Sequence, residues 1–255
     1  MTAETYLFSC LQDNYGVLVH DSASGATAAI DAPEAGAVEA ALKRTGWKLT
    51  DILVTHHHAD HTGGIAPLKE RHRCRVVGPR NEAARIPLLD ETVGEGDVVR
   101  AGGLEARVLE TPGHTAGHIT YWFEPDCLAF VGDTLFSIGC GRVIEGTPEI
   151  MWRSLLKLRG LPGETRVYCG HEYTQANIRF AQTIEPDNLA LIARAAEAAE
   201  QIAHRTPTIP TTLDSEKAAN PFLRADLPEL AEAVGMAGKP AAQVFAVIRE
   251  RKNRF

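Results

Sequence analysis

The chain has 255 residues, 44% of them hydrophobic, so it can bury a sizeable core and its composition does not indicate disorder. Its formal net charge of −7 argues against broad binding to nucleic acid, which requires a basic face. The N-terminal stretch MTAETYLFSC lacks the basic start and long apolar block of a signal peptide or membrane span. We therefore expect a soluble, cytoplasmic protein.

The cysteines fit a reducing compartment. They are odd in number, widely scattered and never in CxxC spacing, which argues against a disulfide framework and against a zinc ribbon. The five are Cys10, Cys74, Cys127, Cys140 and Cys169. We expect Cys140 and Cys169 to be buried, unreactive thiols.

Residues 1 to about 172 alternate short β-rich runs with turns, which predicts mixed layers of helix and sheet. Strands are predicted at 15–20, 27–30, 51–54, 75–77, 106–109, 119–123, 128–131 and 166–168. Helical spacing marks 35–45 and 65–72.

From residue 174 onward the pattern becomes helical. Apolar residues recur at helical intervals in two groups: Leu189, Ile192, Ala196, Ala199 and Ile202, then Val244, Val247 and Ile248. The stretch TPTIPTT at 206–212 predicts a break between helices, because its prolines lack backbone donors. We therefore predict two domains, 1–173 and 174–255.

The stretch THHHADHTGG at 55–64 places four histidines directly after the predicted strand 51–54. Open α/β sheets bind ligands beyond the carboxyl ends of their strands. A turn there can bring together His56, His58, Asp60 and His61, and we predict that it does.

Three later stretches repeat this arrangement of a strand followed by a glycine-flanked ligand residue. They are VLETPGHTAGH with His114, LAFVGDT with Asp133, and VYCGHE with His171. A single zinc site takes three or four ligands, so seven candidates predict two metals that share a carboxylate. Imidazole and carboxylate without thiolate suit zinc, iron or manganese in an open catalytic site.

The other histidines are assigned lesser roles. We expect His57 to pack or bond behind the ligands and His118 to be a structural partner. His20, His72 and His204 are expected at ordinary surface or helix positions.

The motif HxHxDH followed by GH, GD and GH resembles the metallo-β-lactamase superfamily. The resemblance implies an α/β fold, an αββα sandwich of two mixed sheets with a C-terminal α-helical domain. It also implies two divalent metal ions per chain, with Zn²⁺ expected first and Fe or Mn as alternatives. One metal would be bound by His56, His58 and His114, the other by Asp60, His61 and His171, and both by Asp133.

Within that superfamily the chain resembles glyoxalase II, hydroxyacylglutathione hydrolase. The stretches that carry this resemblance are GCGRVIEGT (139–147), GHEYTQANIRFA (170–181), NPFLR (220–224) and RERKNRF (249–255). It implies a catalytic domain at 1–173 and a helical glutathione-binding domain at 174–255.

The same resemblance implies five glutathione-binding residues: Arg142, Tyr173, Asn177, Arg249 and Lys252. Glutathione carries a carboxylate at each end, and cations donate charge-assisted hydrogen bonds to such groups. For Arg249 and Lys252 the alternative is an interaction with the dipole of a final helix. Some family members have a second tyrosine where this chain has Ile144, which predicts that one hydroxyl contact is missing or supplied elsewhere.

The implied reaction is hydrolysis of S-D-lactoylglutathione, an S-2-hydroxyacylglutathione, to D-lactate and glutathione, the second step of methylglyoxal detoxification. A hydroxide shared by two metals would attack the thioester carbon. Asp60 and Asp133 are the expected catalytic residues, as ligands that orient the hydroxide. We expect a monomer that acts on a small molecule, without nucleic acid or membrane partners.

Three alternatives stay open at this point. One is a persulfide dioxygenase with a single iron held by two histidines and an aspartate. The second is a nuclease of the same fold, because two metals suit phosphodiester cleavage. The third is a binding module in which the metal only stabilises the fold.

Overall fold

The computed structural model describes residues 3–255, so residues 1 and 2 of the first predicted domain lie outside it. The chain forms two compact units. The first extends to Glu110 and includes Thr115–Gly132, and the second contains Thr111–His114 and Asp133–Phe255. The domain boundary predicted at residue 173 stays a prediction.

The first unit contains a mixed six-stranded sheet. Its strands, in spatial order, are β1 (Glu4–Cys10), β2 (Asn14–His20), β3 (Thr27–Ile30), β4 (Asp51–Leu53), β5 (Arg75–Pro79) and β6 (Glu91–Val93). The first three strands pair antiparallel, and β3 to β6 pair parallel. Ile52 of β4 lies between Ala29 and Val76 in register, fully buried, as its apolar sequence predicts.

Three helices belong to this sheet: α1 (Ala35–Thr45), α2 (Ala59–Thr62) and α3 (Ile65–His72). The longer two bury one apolar face each, with Val38 and Leu42 from α1 and Leu68 from α3, in a core shared with Ile52. Helix α1 ends at Gly46, whose φ of 76° is the left-handed conformation that favours glycine.

The first unit also contains an antiparallel meander: β7 (Val98–Ala101), β8 (Leu104–Glu110), β9 (Ile119–Phe123) and β10 (Leu128–Gly132). Residues 104–108 of β8 alternate between buried and exposed, the period of a strand with one face in the core. In β9, the hydroxyl of the fully buried Tyr121 donates to the Val54 carbonyl at 3.0 Å. This bond joins the meander to the backbone just beyond β4.

The second unit is mainly helical. Its strands are β11 (Leu135–Phe136), β12 (Gly139–Cys140), β13 (Arg166–Cys169) and β14 (Thr211–Thr212). Its helices are α4 (Pro148–Arg159), α5 (Thr174–Ala181), α6 (Leu189–Ala203), α7 (Leu213–Ala219), α8 (Pro228–Ala233) and α9 (Ala241–Arg254). Phe222, between α7 and α8, packs against Phe180 of α5 and Phe245 of α9, with ring centroids 5.9 and 6.1 Å apart. These rings form a core between the helices of this unit.

Most predicted elements are present, and the differences have physical causes. The helices at 35–45 and 65–72 and the strands at 27–30 and 119–123 have the predicted bounds. The predicted break between helices at 206–212 is confirmed, since α6 ends at Ala203 and α7 begins at Leu213, and the last two residues of this stretch pair with β13 as β14. Within residues 3–255, no helix combines the length and apolar character needed to cross a membrane.

Helix α6 exists as predicted, but its inner face was not identified. Leu189, Ile192 and Ile202 of the predicted apolar set are exposed by 80%, 45% and 39%. The helix instead buries Leu191 and Arg194. The alanines and leucines of α6 occur on every side of the helix. Their spacing therefore indicates a helix but does not indicate which of its faces is buried.

We predict that Tyr121→Phe lowers the free energy of unfolding by about 1–2 kcal/mol, because the buried Val54 carbonyl loses its donor. Burial raises the pKa of Tyr121 well above its ordinary value, so the hydroxyl stays protonated and able to donate. The midpoint of urea unfolding, followed by circular dichroism, measures the change. Tyr6→Phe, on a partly exposed ring, is the control, and equal midpoints for the two variants would contradict the prediction.

Candidate functional site

The first group of predicted ligands lies between β4 and α3 in the first unit. The chain leaves β4 at Leu53, and His56 and His58 follow in the loop before α2. Asp60 and His61 lie on α2 itself. The Nε2 atom of His56 is 3.1 Å from Nδ1 of His58, and Nε2 of His61 is 3.7 Å from a carboxylate oxygen of Asp60.

The second group lies in the second unit and comprises His114, Asp133 and His171. Nε2 of His114 and Nε2 of His171 are 3.4 and 3.3 Å from the same carboxylate oxygen of Asp133. A Cβ at Gly141 would overlap the Asp133 carbonyl, so glycine allows the loop after β12 to approach Asp133.

The donor spacing within each group fits a divalent metal. Ligand atoms about 2.0–2.2 Å from a tetrahedral ion lie roughly 3.4 Å from one another. The measured donor separations run from 3.1 Å to 3.7 Å. Nitrogen and carboxylate oxygen are also the donors that zinc, iron and manganese accept. The residues present therefore fit the predicted metals.

Hydrogen bonds to the far side of three imidazoles fix which nitrogen can bind a metal. Nδ1 of His61 donates to Asp31 at 2.8 Å, and Nδ1 of His114 donates to the Arg142 carbonyl at 3.0 Å. Nδ1 of His56 lies 3.0 Å from the Thr55 hydroxyl, whose own proton is donated to Asp31. In a neutral ring the other nitrogen then carries the lone pair, so Nε2 is the donor atom in all three.

Asp31 is a candidate positioning residue that was not among the residues predicted from the sequence. Its buried carboxylate accepts from His61 and from both the backbone N–H and the hydroxyl of Thr55. Its φ is 56°, a left-handed conformation that non-glycine residues rarely adopt. A signal was present, because Asp31 directly follows the predicted strand 27–30 just as His56 follows strand 51–54.

The neighbouring histidines have the predicted secondary roles, with one exception. The backbone N–H and Nδ1 of His57 each lie 2.7 Å from the carboxylate of buried Glu82. His118 stacks on His56 with ring centroids 4.8 Å apart. The surface or helix position expected for His20 was wrong, because this residue is buried in β2 and stacks on Trp47.

A cavity of about 480 Å³ in the second unit contains all of the predicted substrate-binding residues together with His114 and Asp133. These residues are Arg142, Tyr173, Asn177, Arg249 and Lys252. Arg179 also lines the cavity, although it was not among the residues predicted from the sequence. Its position on α5, two residues after Asn177, is the sequence feature that could have indicated it.

One of these residues is held by ring stacking and three by hydrogen bonds to backbone carbonyls. The Tyr173 ring stacks almost parallel on His171, with centroids 4.8 Å apart. Asn177 donates to the Ser137 carbonyl at 3.1 Å, and buried Arg249 donates to the Cys140 carbonyl at 2.8 Å. Lys252 donates to the Ala176 carbonyl at 2.8 Å. Arg249 and Lys252 therefore have defined partners beyond their own helix.

Comparisons with known proteins agree with this geometry. Residues 9–171 match the family model of the metallo-beta-lactamase superfamily, and residues 172–255 match that of the hydroxyacylglutathione hydrolase C-terminus. The hydroxyacylglutathione hydrolase of Rhodopseudomonas palustris strain BisB18 is 62% identical over 254 residues, which cover 100% of both chains. The chain belongs to the hydroxyacylglutathione hydrolase family, glyoxalase II.

Solved structures show the same fold. ETHE1 from Myxococcus xanthus is 29% identical with a TM-score of 0.70, covering 99% of this chain and 92% of that one. TTHA1623, crystallised in a di-iron-bound form, is 29% identical with a TM-score of 0.57, covering 66% of this chain and 92% of that one. The predicted metallo-β-lactamase fold with a C-terminal helical domain is confirmed.

Electrostatics in the cavity of this glyoxalase II family member favour an anionic ligand. Burial and the nearby charges of Arg249 and Arg179 lower the pKa of Lys252 to about 8. Burial raises the pKa of Cys140 to about 11 and that of Cys169 to about 12. Both thiols are buried, as predicted, and this burial favours their protonated form.

We predict that Asp31→Ala lowers metal affinity about 10- to 100-fold, because His61 and Thr55 lose the carboxylate that orients them. Metal content by mass spectrometry and competition with a chromogenic chelator measure the effect. Asp187→Ala, at an exposed position, serves as the control. Wild-type metal affinity in the Asp31 variant would contradict this role.

Proposed function

We propose that this enzyme of the hydroxyacylglutathione hydrolase family hydrolyses S-D-lactoylglutathione to D-lactate and glutathione, the second step of methylglyoxal detoxification. One observation carries the proposal: a single cavity contains four cations that suit the carboxylates of glutathione, together with two candidate metal ligands. The relatives named hydroxyacylglutathione hydrolase support the same substrate class.

The proposed cofactors are two divalent ions per chain, zinc first, with iron or manganese as alternatives. The proposed ligands are His56, His58 and His114 for one ion, Asp60, His61 and His171 for the other, and Asp133 for both. The 3.1–3.7 Å donor spacing supports this assignment, as does the di-iron form of TTHA1623. When bound, such ions ionise water at neutral pH and polarise the attacked carbonyl.

Other steps of the proposed reaction, orienting the nucleophile and binding the substrate, would depend on side chains of this protein. Asp60 and Asp133 orient the nucleophile as ligands, and Asn14 steadies Asp60 by donating to its carboxylate at 3.1 Å. Tyr173, stacked on His171, forms the wall beside the thioester. Arg142 and Lys252 bind carboxylates of the tripeptide, so the reacting carbon is positioned before attack. The departing group is a thiolate, which leaves without a dedicated acid.

We further propose a monomer in the cytoplasm that acts on this small molecule, without nucleic acid or membrane partners. All five cysteines are free thiols, as expected in a reducing compartment. One unit of one chain supplies every proposed substrate-binding residue, so substrate binding requires no second copy.

The decisive test is turnover of S-D-lactoylglutathione by purified protein, with and without a chelator, alongside metal analysis. We expect thioester loss that stops on chelation and returns when zinc is restored. An assay with glutathione persulfide as the substrate tests the alternative that the protein is a persulfide dioxygenase. Metal-loaded protein that cleaves no thioester would refute the proposal and favour a binding module.

We predict that KM for this substrate rises roughly three- to tenfold as the pH increases through the Lys252 pKa of about 8. The reason is that the charged ammonium, which binds carboxylate, predominates below that pKa and is lost above it. Lys252→Arg, which stays charged throughout, should flatten this rise. A steady-state pH series of both proteins measures it, and parallel profiles would exclude Lys252 as the titrating group.

A further inference from the structure

The turn between β11 and β12 is strained at a buried residue. Leu135 pairs with Cys140 and Phe136 with Gly139, which leaves Ser137 and Ile138 as the two turn residues. Ile138 is fully buried and has a φ of 55°. Glycine or asparagine usually occupies a turn position with positive φ, because a β-branched side chain clashes there. Contacts with other residues must therefore stabilise this backbone conformation of Ile138.

Two buried polar residues hold the turn: Glu216 of α7 and Asn220, which directly follows α7. The Glu216 carboxylate, fully buried, accepts from the backbone N–H of Ile138 at 2.9 Å. The same oxygen accepts from the Asn220 amide at 2.9 Å. That amide also faces the carbonyls of Phe136 and Gly139, at 3.2 and 3.0 Å. Glu216 thus accepts from one backbone N–H of this four-residue segment, and the two N–H hydrogens of the Asn220 amide are shared among Glu216 and the two carbonyls.

The hairpin that contains this turn also contributes to the cavity wall, through Phe136 and Cys140. Asn177, which lines the cavity, donates to the Ser137 carbonyl. Cys140 at the end of the hairpin lines the cavity as well, and its carbonyl accepts from Arg249. A shift of the turn would therefore displace Asn177 and Arg249 from the substrate side.

We propose that Glu216 is a positioning residue for substrate binding, which holds the strained Phe136–Gly139 turn so that Asn177 and Arg249 face the cavity. Glu216 does not line the cavity and acts only through the turn. This inference rests on the proposed function for the identity of the ligand. It also gives the NPFLR stretch a role, since Asn220 is its first residue.

The test compares Glu216→Ala and Glu216→Gln with and without Ile138→Gly. Glu216→Ala should raise KM for S-D-lactoylglutathione about tenfold with kcat changed less than about threefold. Glu216→Gln keeps an oxygen that accepts the Ile138 N–H, so its KM should stay near the wild-type value. Ile138→Gly removes the strain and should restore the KM of Glu216→Ala. Asp214→Ala, an exposed acid on the same helix, is the matched control.

Affinity for S-methylglutathione, measured by calorimetry, should follow the same pattern without any turnover. If Glu216→Ala does not fold, Glu216→Asp withdraws the oxygen by one methylene and takes its place. An unchanged KM and affinity, or a loss that Ile138→Gly does not relieve, would overturn the proposal. Wild-type protein that binds S-methylglutathione but hydrolyses no thioester would refute the proposed function, while the binding comparison would still decide the role of Glu216.

Discussion

The orientation of the His56, His61 and His114 imidazoles by a hydrogen bond on the far side of each ring is the interaction on which the site depends. A histidine binds a divalent ion through a nitrogen lone pair, so the proton must sit on the other nitrogen. Asp31, Thr55 and the Arg142 carbonyl accept that proton from His61, His56 and His114. Because the rings are fixed before any metal arrives, little side-chain freedom is lost on binding.

Two of the strained backbone positions lie where the chain serves the site. Asp31 and Ile138 both adopt the left-handed region that costs non-glycine residues free energy. Both are buried, and both are fixed by hydrogen bonds to residues distant in sequence: Asp31 by several, and Ile138 by one from its N–H to Glu216. The stability of the surrounding core allows these conformations, and the positions of the ligands and of the cavity wall depend on them.

Two cations that line the cavity lie close to aromatic rings. The Arg249 guanidinium lies 5.1 Å from the centre of the Phe222 ring, and Lys252 Nζ lies 5.4 and 5.1 Å from the Phe180 and Phe255 rings. Aromatic faces stabilise cations that have lost water, yet the same burial lowers the pKa of Lys252. Under the proposed function, a carboxylate ligand would offset the repulsion between these two cations.

The sequence by itself determined the local features: the strands and helices with clear periodicity, the ligand residues that follow strand ends, and the family, through motifs such as HxHxDH and NPFLR. Only the tertiary structure decided which groups those elements meet. It showed that the Asp31 carboxylate accepts a hydrogen bond from His61 and that the Glu216 carboxylate accepts one from the Ile138 N–H. It also showed which side of α6 is buried. The physical reason is that backbone conformation follows from neighbours in the chain, whereas a buried hydrogen bond needs a partner that folding brings from far away in sequence.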